Sequence, residues 1–305
     1  MKKTINNKIL NKKNIVIVII VQLSVIALLW LASQLHVLWS IPIGIAFSFI
    51  LLTNYALMHE AAHFNLCGNR KLNDILGIAS GWLFPMSFNI LQLTHHVHHR
   101  CNRTDHEMFD YYYPDDNLFM KYGQWYSILS GIYWPMLPFG SLLISIYPNI
   151  LKVLPFSKFK TSEVLYGDFS RKEIRKIQKE VAIGVLCWLA LWQLLDLRWE
   201  SVLILYAFFA FNWSTRQYVT HAFTPRDVIE GALNLRVSKP MEWILLNGHW
   251  DQVHHIYPHV PWSELPQYAS KTMSPVSYWR QYFAMWKGPR PNFELAPIPI
   301  KSNAS

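Results

Sequence analysis

Most of the reactive chemistry in this chain is carried by imidazole, because all but one of its thirteen histidines fall in short clusters beside long apolar segments. The clusters are His59-Glu-Ala-Ala-His63, His95-His-Val-His-His99 with His106 close behind, His221, and a last group of His249, His254, His255 and His259. Imidazole is the commonest side-chain ligand of transition metals. Spacing adds what the count does not. His59 and His63 stand at i and i+4, on one helix face. His95, His98 and His99 stand at i, i+3 and i+4, again one face, with His96 rotated roughly 100° away. Asp251, His254 and His255 repeat that register, with a carboxylate where the second cluster has its first histidine. Carboxylate and imidazole are both good ligands for iron. His36 lies apart from the clusters and reads as an ordinary solvated side chain.

The segments that must position these residues belong to a membrane. The chain is 52% apolar and 15% aromatic but only 15% charged, too hydrophobic for an ordinary soluble domain. Residues 15–33 and 37–58 are each long enough to cross a hydrocarbon core of about 30 Å. The first lacks a small-residue cleavage site and leads straight into the second, so it reads as a retained span. Cys67, Cys101 and Cys187 show no pairing pattern, and no structural disulfide is expected. The formal charge of +9 could suggest nucleic acid, but its distribution points to lipid instead. Lys2, Lys3, Lys8, Lys12 and Lys13 precede the first span. Lys152, Lys158, Lys160, Arg171, Lys172, Arg175, Lys176 and Lys179 precede the apolar stretch at 181. Basic residues flanking spans mark the cytoplasmic side.

With the N-terminus inside, the second span brings His59 and His63 out at the cytoplasmic face. Residues 75–94 are apolar enough to cross, yet crossing would put a bilayer between the first two clusters. Gly77, Gly81 and Pro85 weaken a straight helix there, so the segment is expected to lie in or dip into the interface. Residues 125–147, interrupted by Gly131, Pro135, Pro138 and Gly140, read as a broken re-entrant segment. Spans at 181–197 and 201–219 complete the count. The expected fold is an all-α integral membrane protein: four transmembrane helices, interfacial or re-entrant helices, and a cytoplasmic cap rich in histidine. One domain is expected over 1–305, with its core at about 40–262, a basic tail at 1–14 and a Pro-rich surface tail at 288–305. No Gly-rich phosphate loop or dinucleotide fingerprint occurs, so reducing equivalents would come from another protein.

The order HEAAH, HHVHH and DQVHH resembles the membrane fatty acid desaturase and hydroxylase superfamily, whose three histidine boxes have the forms HxxxH, HxxHH and HxxHH. The third box departs from the pattern at Asp251, while its surroundings, NGHWDQVHHIYPHVPW, otherwise look like that box; His249 is the other residue that could complete it. The resemblance covers about residues 40–262. It implies a non-haem centre of two irons that uses O2 to break an unactivated C–H bond, fed by a ferredoxin or small cytochrome. It also implies a further histidine ligand between the second and third boxes, for which His221 is the candidate, and an amide four residues earlier, Gln217, that could hold a metal-bound water.

Two metals need about eight or nine donors, more than one helix face supplies. Catalytic and metal-binding candidates are thus His59, His63, His95, His98, His99, His221, Asp251, His254 and His255. His96, His106, His249 and His259 remain for orienting the ligands, with Glu60, Asp105 and Asp227 as possible acceptors of ring N–H bonds. The expected reaction is O2-dependent desaturation of a fatty acyl or similar alkyl chain, with hydroxylation or ketolation of a lipid, carotenoid or specialised metabolite as the alternative. HEAAH also fits the HExxH of a membrane zinc protease, but that chemistry would leave two clusters idle. A metal transporter would place histidines inside spans, whereas these gather at span ends. A multi-pass protein of a bacterial inner membrane, with its site on the cytoplasmic side, is the expected setting.

Overall fold

A computed structural model of the chain describes residues 7–150, 169–270 and 273–300. Its first two helices, α1 (Asn7–Gln34) and α2 (Ser40–Ala62), form a hairpin through a 3-10 turn at Val37–Trp39. On α1, Val18, Val21, Val25 and Leu29 are buried, while Val16, Ile19, Ile20 and Leu23 are exposed. A helix apolar all round, with only one stripe covered by protein, presents the remainder to lipid. The next two helices, α3 (Arg70–Leu83) and α4 (Phe88–Cys101), are bent 102° from one another. Here the expectation for residues 75–94 meets a broken helix pair. Glycine permits the bend: a Cβ on Gly81 would stand 2.8 Å from the Met86 carbonyl oxygen, and one on Gly77 would enter the Phe88 ring. Ser87 then caps α4.

A two-residue strand, β1 (Tyr111–Tyr112), leads to α5 (Leu118–Ser130) and α6 (Met136–Ile146). These two short helices occupy the segment expected to be broken. Gly131 ends α5 in the left-handed region at φ 87°, and a Cβ there would lie 2.7 Å from the Phe211 backbone nitrogen. Both the conformation and the close approach call for glycine.

Farther along the chain, α7 (Arg171–Leu195) and α8 (Trp199–Gln217) form a second hairpin. Ser170 and Glu173 make a capping box at the start of α7. Farther along that helix, Glu180 accepts hydrogen bonds from the Ser87 hydroxyl (2.5 Å) and the Asn89 backbone N–H (3.1 Å), which places a carboxylate at the N-terminus of α4. At the far turn, Arg198 donates to the carbonyls of Ala32 and Leu35 at the end of α1, tying the two hairpins together.

Among the described residues three helices are long and apolar enough to cross a bilayer, at Leu10–Gln34, Val37–Ala62 and Arg171–Leu195, and the bent α3–α4 pair would raise the count to four. The expected span at 201–219 corresponds to α8. At 19 residues it measures about 28 Å, but Glu200, Asn212 and Arg216 dilute its apolar character. Protein covers it instead: α8 packs along α2 more extensively than any other two elements pack, burying Leu205, Tyr206, Phe209 and Trp213. The result is a mostly helical membrane fold, as expected. Lys2, Lys3, Lys152, Lys158 and Lys160, on which its expected orientation partly rests, lie outside the described residues.

The rest of the chain builds a cap from short pieces: β2 (Leu235–Arg236), α9 (Lys239–Ile244), α10 (Asp251–Ile256), α11 (Leu265–Tyr268), β3 (Val276–Ser277), α12 (Tyr278–Met285) and β4 (Arg290–Pro291). Two parallel pairs, β2 with β3 and β1 with β4, fasten it. The described part of the Pro-rich tail, residues 288–300, lies on the surface as a strap. Arg290 and Asn292 donate backbone N–H bonds to the carbonyls of Asp110 and Tyr112 (2.8 Å each), and Ile300 donates to that of Arg100 (3.0 Å).

Candidate metal centre

Four segments bring the histidines together: the end of α2, the last turns of α4, the turn after α8, and α10. The ligand atoms of His59, His63, His95 and His254 all lie within 4.8 Å of one another, and those of His98, His221 and His255 form a second such group. His99 joins the two. Its Nε2 is 3.1 Å from Nε2 of both His95 and His254, and its ring centroid lies 4.4 Å from that of His255. Asp251 stands at the second group, with Oδ2 3.2 Å from His221 Nε2. All nine candidates therefore meet in one place. His96, rotated off the shared face, points its Nε2 to the Ala62 carbonyl oxygen at 3.0 Å. His249 is buried but belongs to neither group, and half-buried His106 and exposed His259 lie outside both groups as well.

This packing of imidazoles is unfavourable without a cation between them. Each neutral ring has one N–H and one lone pair, yet His63 and His95 face each other Nε2 to Nε2 at 2.7 Å while His99 approaches His95 and His254 in the same manner. A ring of mutual hydrogen bonds cannot satisfy so many converging nitrogens, whereas a shared metal ion can. Asp251 adds the same argument from the acid side. Its mostly buried Oδ2 has no aligned hydrogen bond, although it sits at ionic distance from His221. A buried charge needs a partner, and the donor set of imidazoles plus one carboxylate suits iron. Burial works to raise the Asp251 pKa, but His221 and a hydrogen bond from Thr220 hold the carboxyl well below the usual range.

Ring orientation comes from the opposite nitrogens. His221 Nδ1–H donates to the Gly231 carbonyl oxygen at 3.1 Å, leaving Nε2 for the second group. His98 Nδ1–H donates to Glu107 Oε2. Both tautomers follow from the partners, since a carbonyl or carboxylate only accepts. The His98 ring outweighs the burial that would otherwise raise Glu107 and keeps that carboxyl below its ordinary value. Glu60, Asp105 and Asp227, the acceptors considered from sequence, do other work. Glu60 accepts the Trp262 backbone N–H at 3.0 Å, Asp105 pairs with Arg226 at 2.8 Å, and Asp227 caps its own turn. Glu107 has no helical register with His98, because the chain turns back after α4 through Arg103 at φ 62°. That turn hides the pairing from any periodicity argument.

The turn is anchored by a buried ion pair. Arg103 Nη1 donates to Asp110 Oδ1 (2.8 Å) and to the Tyr218 hydroxyl (2.8 Å), and its Nη2 donates to the Thr224 carbonyl (3.0 Å). Asp110 also accepts the Phe223 backbone N–H, and Tyr218 donates to the Glu107 carbonyl at 2.7 Å. The pair thus connects the segment that carries Glu107 with the turn that carries His221. Left-handed residues follow three of the ligand segments: Phe64 (φ 59°), Arg103 and Phe223 (φ 60°). A non-glycine residue adopts this conformation at a cost of about 1 kcal/mol or more, which the surrounding contacts must offset.

Beside the histidines lies a cavity of about 330 Å3 whose walls are largely apolar. Leu52, Phe84, Ile128, Leu137 and Trp213 line it, and His59, His95, His98 and His254 open onto it. Gln217 also borders the cavity and accepts the Tyr55 hydroxyl at 3.0 Å. Residues 33–288 match the fatty acid desaturase family. No curated protein matches the chain.

Proposed function

The chain belongs to the fatty acid desaturase family, and from that premise we propose that it is an O2-dependent oxidoreductase introducing a double bond into a fatty acyl or similar alkyl chain, using two irons. The observation that carries this reading is the pair of adjoining histidine groups opening onto one apolar cavity. His59, His63, His95 and His254 would hold one iron; His98, His221, His255 and Asp251 the other; His99 stands between them. The metals supply the oxygen-activating redox chemistry that no amino-acid side chain provides. The protein's own contribution is positional. Glu107 and the Gly231 carbonyl fix two rings, Asp251 balances charge, and the apolar walls keep water from a C–H bond held beside the metals. The electron donor would be a separate ferredoxin or small cytochrome, docked on a cytoplasmic face.

Product analysis tests the reaction. The chain, expressed in a host of defined lipid composition, should yield a new double bond under air and none under nitrogen. A product gaining one oxygen atom would make it a hydroxylase, and an unchanged lipid profile would remove acyl lipids as substrates. Elemental analysis of the purified protein should find two irons per chain; one tightly held zinc without iron would overturn the centre.

Glu107→Gln should lower metal retention and turnover by roughly 10–100-fold, because it removes the charge that orients His98 while keeping the shape. Iron remaining after timed exposure to a chelator, compared with wild type, measures the effect. Equal retention and equal rate would mean that His98 is placed by packing alone.

A further inference from the structure

We propose that Arg216 binds an anionic head group, a carboxylate or phosphate at one end of the alkyl substrate, within the same cavity that the histidines border. The proposal rests on the reading above that this cavity takes an alkyl chain. Arg216 lies in the last turn of α8 and lines the cavity together with His59, His95 and His254. The same cavity is lined by the apolar Leu52, Ile128 and Trp213.

The guanidinium is held in place but not neutralised. Its Nε donates to Asn212 Oδ1 at 2.7 Å, and Asn212 in turn donates to the Ser48 hydroxyl of α2 at 3.0 Å. The Tyr278 and Phe49 rings lie 5.1 and 5.9 Å from its centre. Aromatic contacts at these distances steady a guanidinium while leaving the N–H edge free to donate. Among the described residues no carboxylate pairs with Arg216. The contrast is with Arg103 and Arg226, each bonded to an aspartate at 2.8 Å. A fixed guanidinium with no carboxylate partner on a largely apolar wall suits an amphiphile whose charged end accepts two parallel N–H bonds and whose tail follows the wall.

Binding without turnover separates this proposal from the reaction itself. Iron-loaded full-length protein in mild detergent, under nitrogen and without reductant, would be titrated with radiolabelled palmitic acid, methyl palmitate and palmitoyl lysophosphatidic acid. Wild type should bind at least one anionic probe about tenfold or more tightly than the ester. Arg216→Gln should lose that preference without weakening ester binding, and Arg216→Lys should keep part of it. Tight binding of palmitate identifies a carboxylate head; tight binding of the lysophospholipid alone identifies a phosphate. Equal affinity for acid, phospholipid and ester in wild type, or a preference that survives Arg216→Gln, would overturn the proposal and leave Arg216 as an anchor for the end of α8. If no probe binds at all, the head-group proposal falls together with the alkyl-chain reading. A melting temperature for each variant shows that it is folded.

Discussion

Replacing Asp251 by alanine should abolish turnover and lower bound iron, with a loss of at least about 100-fold in activity. The reason lies in charge as much as in ligand count. His98, His221 and His255 contribute imidazole nitrogens to that group, so Asp251 is the anion placed among the donors themselves, with Glu107 one ring farther out on His98. Its Oδ2 already lies 3.2 Å from His221 Nε2. Removing it leaves a metal with fewer donors and an uncompensated charge in a buried site, which costs far more than the loss of one surface carboxylate would. Asp251→Asn separates the two contributions by keeping an oxygen donor without the charge, and Asp251→His should preserve part of the activity by restoring the three-histidine form of the box. Iron content and single-turnover rate, read on the same samples, decide the matter. An alanine variant with full iron and full rate would show that Asp251 serves neither metal.

The second large effect concerns stability. Asp110→Ala should destabilise the protein by about 3–5 kcal/mol, because it leaves the Arg103 guanidinium charged and unpaired where neither partner is exposed to solvent. The Phe223 N–H would lose its acceptor at the same time. Thermal unfolding in detergent would show a markedly lower transition. The double change Arg103→Met with Asp110→Leu should recover much of the loss, since an apolar pair of similar volume avoids the stranded charge. If the single variant unfolds at the wild-type temperature, the ion pair is not what holds the turn between α4 and Glu107. Iron retention adds a second readout, because the same turn aims Glu107 at His98.

Features that depend on local repetition are legible in the amino-acid sequence. The i, i+3, i+4 registers of His95, His98, His99 and of Asp251, His254, His255 place them on shared faces, and the broken character of 75–94 and 125–147 can be read from Gly81, Pro85 and Gly131. Distant pairings without a period are not legible. Glu107 meets His98 only because a left-handed residue reverses the chain, and Arg103 meets Asp110 in the same reversal. A carboxylate near a histidine cluster is common in any sequence, so Asp105 and Asp227 look as suitable as Glu107 until the turn assigns each its partner. The strap is hidden for a similar reason: proline suggests an extended tail, and nothing in GPRPNFELAPIPI names Asp110 or Tyr112 as the backbone it joins.

That strap has a consequence in time. Tyr113 and Glu294, which it brings together through a hydrogen bond of 3.1 Å, are 181 residues apart. A ribosome adding about 5–20 residues per second needs roughly ten to forty seconds to make that length. For most of that interval the histidines of α2 and α4 exist without α10, and until its close without β4 and without the clasp over Asp110. On the proposed di-iron reading the nascent chain presents an open, half-built set of imidazoles, and the full donor set is complete only when the last segments arrive. Closing the cap would then be the step at which a wrongly chosen ion is either expelled or sealed in.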